Sequence, residues 1–206
     1  MEIITLFPVD FASNCYILHD RKNAYVIDPS LPCDRILDKL SEYGLSLSGI
    51  LLTHGHFDHI FSADKLREAT GAPLYVHEDD AEMLSDSVKN AHSIFFGRAF
   101  TVSPPEALLR DGDEIMLGDE AIRVIHTPGH SKGSVCFDTG KLLITGDTIF
   151  AASFGRCDLY GGSFDTLRTS IGRLTALSEL SDRVIYPGHG ESADLTGALN
   201  RIKNYF

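Results

Sequence analysis

Short apolar runs rich in β-branched residues recur along the chain, each bounded by glycine, proline or a polar cluster, the pattern of buried strands. Predicted strands are Ile3–Phe7, Cys15–Leu18, Ala24–Ile27, Gly49–Thr53, Leu74–Val76, Glu114–Leu117, Ala121–His126, Ser134–Phe137, Lys141–Thr145 and Arg183–Tyr186. Between them lie predicted helices over Asp34–Tyr43, His59–Thr70, Glu78–Leu84, Phe164–Leu177 and Leu195–Tyr205. Leu167, Ile171, Leu174 and Leu177 fall at helical spacing and form one core face, and Gly161-Gly162-Ser163 supplies an N-cap for that helix. Ser85–Pro105 breaks the rhythm: it carries Phe95, Phe96 and Phe100 around Gly97 and ends in two prolines. It reads as a long loop or lid, or equally as a surface excursion whose phenylalanines pack on the domain.

Composition narrows the class. At 206 residues the chain fits one domain spanning 1–206, and 43% hydrophobic with 23% charged residues is ordinary for a globular protein. A net charge of −11 without any basic run speaks against a nucleic-acid surface. The N-terminus has no basic stretch followed by an apolar one, so no secretory signal is expected, and no segment approaches the ~20 apolar residues of a membrane span. Cys15, Cys33, Cys136 and Cys157 are scattered without a CxxC pair, which suggests thiols in a reducing compartment and a cytoplasmic protein.

The chemistry gathers where predicted strands end. Ile50-Leu51-Leu52 runs into Thr53-His54-Gly55-His56-Phe57-Asp58-His59. His54 and His56 can aim at one point, while Asp58 and His59, placed at the start of the next helix, can reach a second. His130, Asp147 and His189 follow three further strands, each beside a glycine that permits a tight turn. Neutral imidazoles and carboxylates without a thiolate suit Zn²⁺ first, then Fe²⁺ or Mn²⁺. His54, His56 and His130 would hold one ion, and Asp58, His59 and His189 the other. Asp147 would bridge them, leaving room for hydroxide and an open position on each ion, as in catalytic sites. Asp58 is the one obvious acid. Asp28, in Val26-Ile27-Asp28-Pro29, is read as a strand cap that supports the site, and Cys157 as a packing residue. His126 is weighed as a support residue against the simpler reading of an ordinary surface or core histidine.

With THGHFDH, HTPGH, GD and PGHG in this order, the chain resembles the metallo-β-lactamase superfamily from about Ile3 to its C-terminus. The resemblance implies an α/β fold, a four-layer αββα sandwich of two mixed β-sheets flanked by helices, and it carries the superfamily's ligand roles onto the seven residues above. Flavodiiron members have Glu where His56 stands, which disfavours that redox branch. Gly155-Arg156-Cys157-Asp158-Leu159-Tyr160-Gly161-Gly162 is similar to the GRxDLxGG stretch of glyoxalase II-like hydrolases, and Asn90–Phe100 also resembles that subgroup. Its members hydrolyse S-acyl thioesters of glutathione, typically S-lactoylglutathione. A separate C-terminal helical domain for glutathione is not expected. Arg156 and Tyr160 are candidates to bind a substrate carboxylate and amide, against the alternative that Arg156 pairs with Asp158.

The expected activity is therefore a dinuclear thioester hydrolase acting on a small molecule, possibly glutathione-derived, with no nucleic-acid or membrane partner. A thiol of pKa about 8.5 leaves as thiolate without a dedicated acid. Rival readings are a mononuclear iron persulfide dioxygenase, which would also use His130 and Asp147, a lactonase or other ester hydrolase on the same fold, and a non-catalytic binding protein.

Overall fold

Strands that are apolar on both faces need cover on both faces, and this chain supplies it with two sheets back to back. In the computed structural model residues 1–8 and 12–205 are described. The first sheet runs β1 (Glu2–Leu6), β2 (Cys15–His19), β3 (Asn23–Ile27), β4 (Ser46–Leu51), β5 (Leu74–His77) and β6 (Ala107–Leu109), in chain order. β1 to β3 pair antiparallel and β3 to β6 parallel. Parallel neighbours require crossovers. Helix α1 (Cys33–Glu42) makes the one between β3 and β4, and α2 (Ala63–Thr70) the next. The second sheet holds β7 (Glu114–Leu117), β8 (Glu120–His126), β9 (Val135–Asp138), β10 (Leu142–Gly146), β11 (Val184–Pro187) and β12 (Ala193–Asp194), again in sequential order. Only β10 and β11 are parallel there. Their crossover is α5 (Phe164–Leu180), and α6 (Leu195–Ile202) follows β12.

Strand periodicity sorts side chains into layers. Tyr16, Leu18, Ile27 and Leu51 of the first sheet meet Ile122, Val124, Phe137 and Ile144 of the second in the central layer. The alternate residues Ile17, Val26 and Ile50 face outward onto Ile36, Leu40 and Leu66 of the α1 and α2 side. On the other flank Ile125, Leu143 and Ile185 meet Leu167, Ile171 and Leu174 of α5. The result is the expected αββα sandwich. Ser163 caps α5, its hydroxyl accepting from the Thr166 amide at 3.3 Å.

Several boundaries differ from the reading of the sequence. The predicted helix over His59–Thr70 begins at Ala63; residues 57–62 are turns, closed by His59 N–H to His56 C=O at 3.1 Å, while the Ser62 amide turns to Pro29 C=O at 2.8 Å. Those bonds leave Asp58 and His59 ahead of the helix, not in its first turn. The strand predicted at Gly49–Thr53 spans Ser46–Leu51, and β6 and β12, three and two residues long, are too short to carry a strand pattern. Within Ser85–Pro105 one short helix forms, α4 (His92–Phe96), after α3 (Ala81–Leu84). Residues 203–205 form a 3₁₀ turn in place of a last α-helical turn. No helix among the described residues is long and apolar enough to cross a membrane.

Candidate metal centre

β8, β10 and β11 run in one direction, so their C-terminal ends share an edge of the second sheet. The loop after β4 meets them there, tied by the Val135 amide to Thr53 C=O at 2.8 Å. This edge gathers all seven predicted ligands, the arrangement that loops leaving strand ends make possible.

His54, His56 and His130 form the first cluster. His130 Nε2 lies 3.1 Å from His54 Nε2 and 2.8 Å from His56 Nδ1. Each ring's far side shows how it is oriented. His130 Nδ1 donates to Arg156 C=O at 2.7 Å. Thr53 Oγ1 gives its proton to Asp28 Oδ2 at 2.6 Å and so accepts from His54 Nδ1 at 3.1 Å. Both rings therefore turn an unprotonated Nε2 inward, the form that binds a cation. Burial keeps the charge off: it pushes the His54 pKa well below the usual histidine range and that of His56 down to about 3.

Asp58, His59 and His189 make the second cluster, with His189 Nε2 at 3.2 Å and His59 Nε2 at 3.7 Å from Asp58 Oδ2. His59 Nδ1 points away, to Asp28 Oδ2 at 2.8 Å. Asp147 stands between the clusters. Its Oδ2 is 3.6 Å from both His130 Nε2 and His189 Nε2, and its Oδ1 is 3.4 Å from His59 Nε2.

The residues fit divalent cations. Asp147 Oδ1 and His59 Nε2 are buried and make no hydrogen bond, an unfavourable state for polar atoms unless something binds them. Burial disfavours a charged His59, yet Asp28, Asp58 and Asp147 outweigh it and raise its pKa well above the usual range. A pocket whose carboxylates draw a proton onto a buried imidazole is short of positive charge. In each cluster the donor atoms lie within 4.8 Å of one another.

Local sequence explains how the ligands approach so closely. The β10–β11 register shifts at Gly146, whose φ of +47° is in the glycine-favouring left-handed region. A Cβ on Gly188 would stand 2.1 Å from Asp147 Oδ1, so only glycine admits the Asp147 carboxylate where it stands. Asn14 and Tyr16 hold that loop from the first sheet: the Asn14 side-chain amide donates to Pro187 C=O at 3.0 Å and Gly190 C=O at 2.8 Å, and Tyr16 O–H to Pro187 C=O at 2.6 Å. Asp28 has the supporting place expected of it.

Asp80 is the residue that sequence reasoning missed. Fully buried, it accepts from the Gly55 amide at 3.0 Å, Ser131 Oγ at 2.6 Å and the Gly133 amide at 2.7 Å. It thereby joins the loop bearing His54 and His56 to the loop bearing His130. Glu78-Asp79-Asp80 carries the acidic signature of a helix start, so nothing in the one-dimensional pattern sets Asp80 apart.

Other candidates lie outside the clusters. Arg156 is clasped by Asp158 at 2.6 and 2.8 Å, yet borders the cavity of about 320 Å³ in front of the ligands. Tyr160 O–H donates to Glu82 at 2.6 Å. His126 stacks on His77 with centroids 4.0 Å apart, and its Nε2 donates to Lys132 C=O at 2.8 Å. These rings are within 14° of parallel, so their in-plane lone pairs run side by side and do not converge on an ion, although Asp79 is near. Cys157 is half-buried and, like the other three cysteines, free.

Residues 8–189 match the family model described as Metallo-beta-lactamase superfamily. An uncharacterized protein of Mycobacterium leprae (strain TN) is 40% identical, with 98% of each chain covered. The "Probable metallo-hydrolase YqgX" of Bacillus subtilis (strain 168) is 35% identical over 89% of this chain and 87% of its own. The "Hydroxyacylglutathione hydrolase GloC" of Haemophilus influenzae (strain ATCC 51907 / DSM 11121 / KW20 / Rd) is 31% identical over 91% and 90%. Among solved structures, the BLEG-1 B3 metallo-beta-lactamase superposes with a TM-score of 0.87 at 32% identity, covering 97% of both chains. TTHA1623 "in a di-iron-bound form" gives 0.79 at 32% identity over 96% of both.

Proposed function

The chain belongs to the metallo-β-lactamase superfamily, and from that premise we propose that it is a dinuclear metal-dependent hydrolase of thioesters, of the hydroxyacylglutathione hydrolase kind. The observation that carries two ions is Asp147, one carboxylate within 3.6 Å of ring nitrogens from both clusters. The di-iron form of a relative with the same fold supports the count. Zinc is the first choice because the donor set is imidazole and carboxylate without thiolate.

Two divalent ions held there would lower the pKa of water from 15.7 toward about 7 and polarise a carbonyl oxygen. His54, His56 and His130 would hold one, Asp58, His59 and His189 the other. The chain's own groups do the remaining work. Asp58 borders the cavity, and His59 and His189 outweigh its burial to keep it ionised, so its Oδ2 can take the proton of the attacking water. The water oxygen bonds to the acyl carbon, the C–S bond breaks and sulfur leaves as thiolate. Phe57, Phe95 and Phe150 line the cavity and limit competing water. Arg156, held by Asp158, offers its outer guanidinium edge to a substrate carboxylate at the mouth.

Thioesters suit the site better than amides. The acids and imidazoles that border the cavity, Asp58, Asp147, His56, His130 and His189, all belong to the clusters, leaving no spare acid to protonate an amine. A thiolate needs none. The GRxDLxGG stretch and the likeness to GloC point the same way.

Protein purified without added metal, analysed for metal and assayed with S-lactoylglutathione, tests the reading. Nearly two equivalents per chain and hydrolysis that Asp147→Ala abolishes are expected. Oxygen uptake with glutathione persulfide at one iron per chain would replace it by the dioxygenase alternative.

A further inference from the structure

A second chamber, of about 460 Å³, opens beside the metal centre and shares Phe57 and Asp58 with it. Its walls are mostly apolar, with Leu31, Pro32, Phe61 and Phe96 prominent. Phe61 is 51% and Phe96 50% exposed, an unfavourable disposition for large rings unless something covers them. Phe96 is held edge-on to Phe57 at 5.4 Å, and Phe61 stacks on Phe100 at 5.6 Å, so the walls are built from the ligand loop and from the Ser85–Pro105 excursion together.

Two cations border this chamber, Arg35 on α1 and Arg98 just after α4. In a chain with 29 acidic residues against 18 basic ones, most arginines sit within ion-pair distance of a carboxylate. Neither Arg35 nor Arg98 has such a partner among the described residues. His92, in the chamber wall, donates from Nδ1 to Arg98 C=O at 2.8 Å and so anchors the backbone that carries one of them. Among the described residues Asp58 is the chamber's one carboxylate, at the end shared with the metal centre, where His59 and His189 face it.

We propose that this chamber is the acyl subsite, and that the enzyme acts on thioesters whose acyl group is an apolar arm ending in a carboxylate. The inference rests on the thioesterase reading. The scissile carbonyl lies in front of the clusters, the apolar arm passes Phe57 into the chamber, and the terminal carboxylate meets Arg35 and Arg98. Guanidinium pairs well with carboxylate, and the pairing discriminates because a neutral end would leave the arginines unanswered. The apolar walls have few hydrogen-bonding groups, so an amide-rich carrier arm is a poorer occupant than an alkyl or aryl chain. The volume is that of a small-molecule site.

N-acetylcysteamine thioesters separate acyl from carrier, since that thiol carries no charge. The zinc-loaded enzyme is assayed with a carboxylate-ended suberoyl thioester and with its methyl-ended octanoyl counterpart. The expected kcat/KM ratio is at least about tenfold in favour of suberoyl, falling to near one in R35A/R98A and recovering in part in R35K/R98K. Both side chains are exposed, so the variants keep the fold. Calorimetric titration with octanoate adds a readout without turnover: binding at least about tenfold weaker in R35A/R98A is expected. Hydrolysis of both thioesters with no preference overturns the acyl subsite and leaves the thioesterase reading standing. Octanoate binding that needs the arginines, with neither thioester cleaved, overturns the thioesterase reading and with it the acyl role. A tenfold preference that survives R35A/R98A overturns the assignment of the two arginines.

Discussion

Two buried aspartates that face the ligands' supports decide how the centre is held. Asp28 orients His59 directly and His54 through Thr53. Asp28→Asn keeps the shape but replaces an acceptor by an amide, and groups in this supporting position typically change metal affinity 10–100-fold. Competition with a chromophoric chelator should show a loss in that range. Asp80 makes no hydrogen bond to a ligand side chain among the described residues, yet it is the acceptor for three buried donors on two ligand loops. Asp80→Ala strands those donors, each at about 1–3 kcal/mol. Urea unfolding should show stability lower by about 3 kcal/mol or more, together with weaker metal binding. Intact stability would mean that the loops keep their places without it. The role of Asp80 is not visible in one dimension, because it is 25 positions from Gly55 and 51 from Ser131.

Among elements, the meeting of β10 and β11 sets the distance across the centre. The strands run parallel, Asp147 leaves one and His189 the other, and Gly188 passes close enough to touch the Asp147 carboxylate. Gly188→Ala puts a methyl group 2.1 Å from Asp147 Oδ1 and 2.7 Å from His59 Cε1. The backbone φ of Gly188 is not among those in the left-handed region, so the effect is steric and local. The expected outcome is loss of about one metal equivalent, read by metal analysis, with a circular dichroism spectrum like that of the parent chain. Two retained equivalents would show that the ligand loops relax around the methyl group. The excursion over Ser85–Pro105 works differently: the Asn90 carbonyl accepts from the Phe57 amide at 3.0 Å, and Phe95 and Phe96 flank the Phe57 ring. It borders both cavities, and its phenylalanines pack on the domain at Phe57, so it carries features of both readings of the segment.

At the scale of the molecule, the two sheets depend on the centre as much as the centre on them. The residues that would hold the ions come from loops of both halves, and cations held there would cancel the mutual repulsion of Asp58 and Asp147. Ligands that bind only the folded state stabilise it by mass action, by about 2.7 kcal/mol at a hundred times Kd. Removing metal with a chelator should therefore lower the melting temperature by several degrees, and adding zinc should restore it. A melting curve indifferent to chelator would mean that no ion is bound in the folded state.

The chain alone determined most of the architecture. Apolar runs of strand length, the capped helix at Phe164 and the glycine-flanked ends at His54, His130, Asp147 and His189 are local features, and local features survive in one dimension. The order of four short motifs added the family, because imidazoles and carboxylates gather beside glycines at the ends of apolar strands chiefly where a cation is to be held. Tertiary structure alone decided which atoms face one another: that Asp147 comes within 3.6 Å of ring nitrogens from both clusters, that Asp80 serves two loops, that Arg156 is clasped by Asp158, and that His126 stacks on His77 away from the centre. It also set the start of α2 at Ala63, where a bond to Pro29 competes with the helix. The physical reason is common to all of these. Side-chain direction and hydrogen-bond partnership depend on groups tens of residues away, and no periodicity records a contact before the chain has folded back on itself.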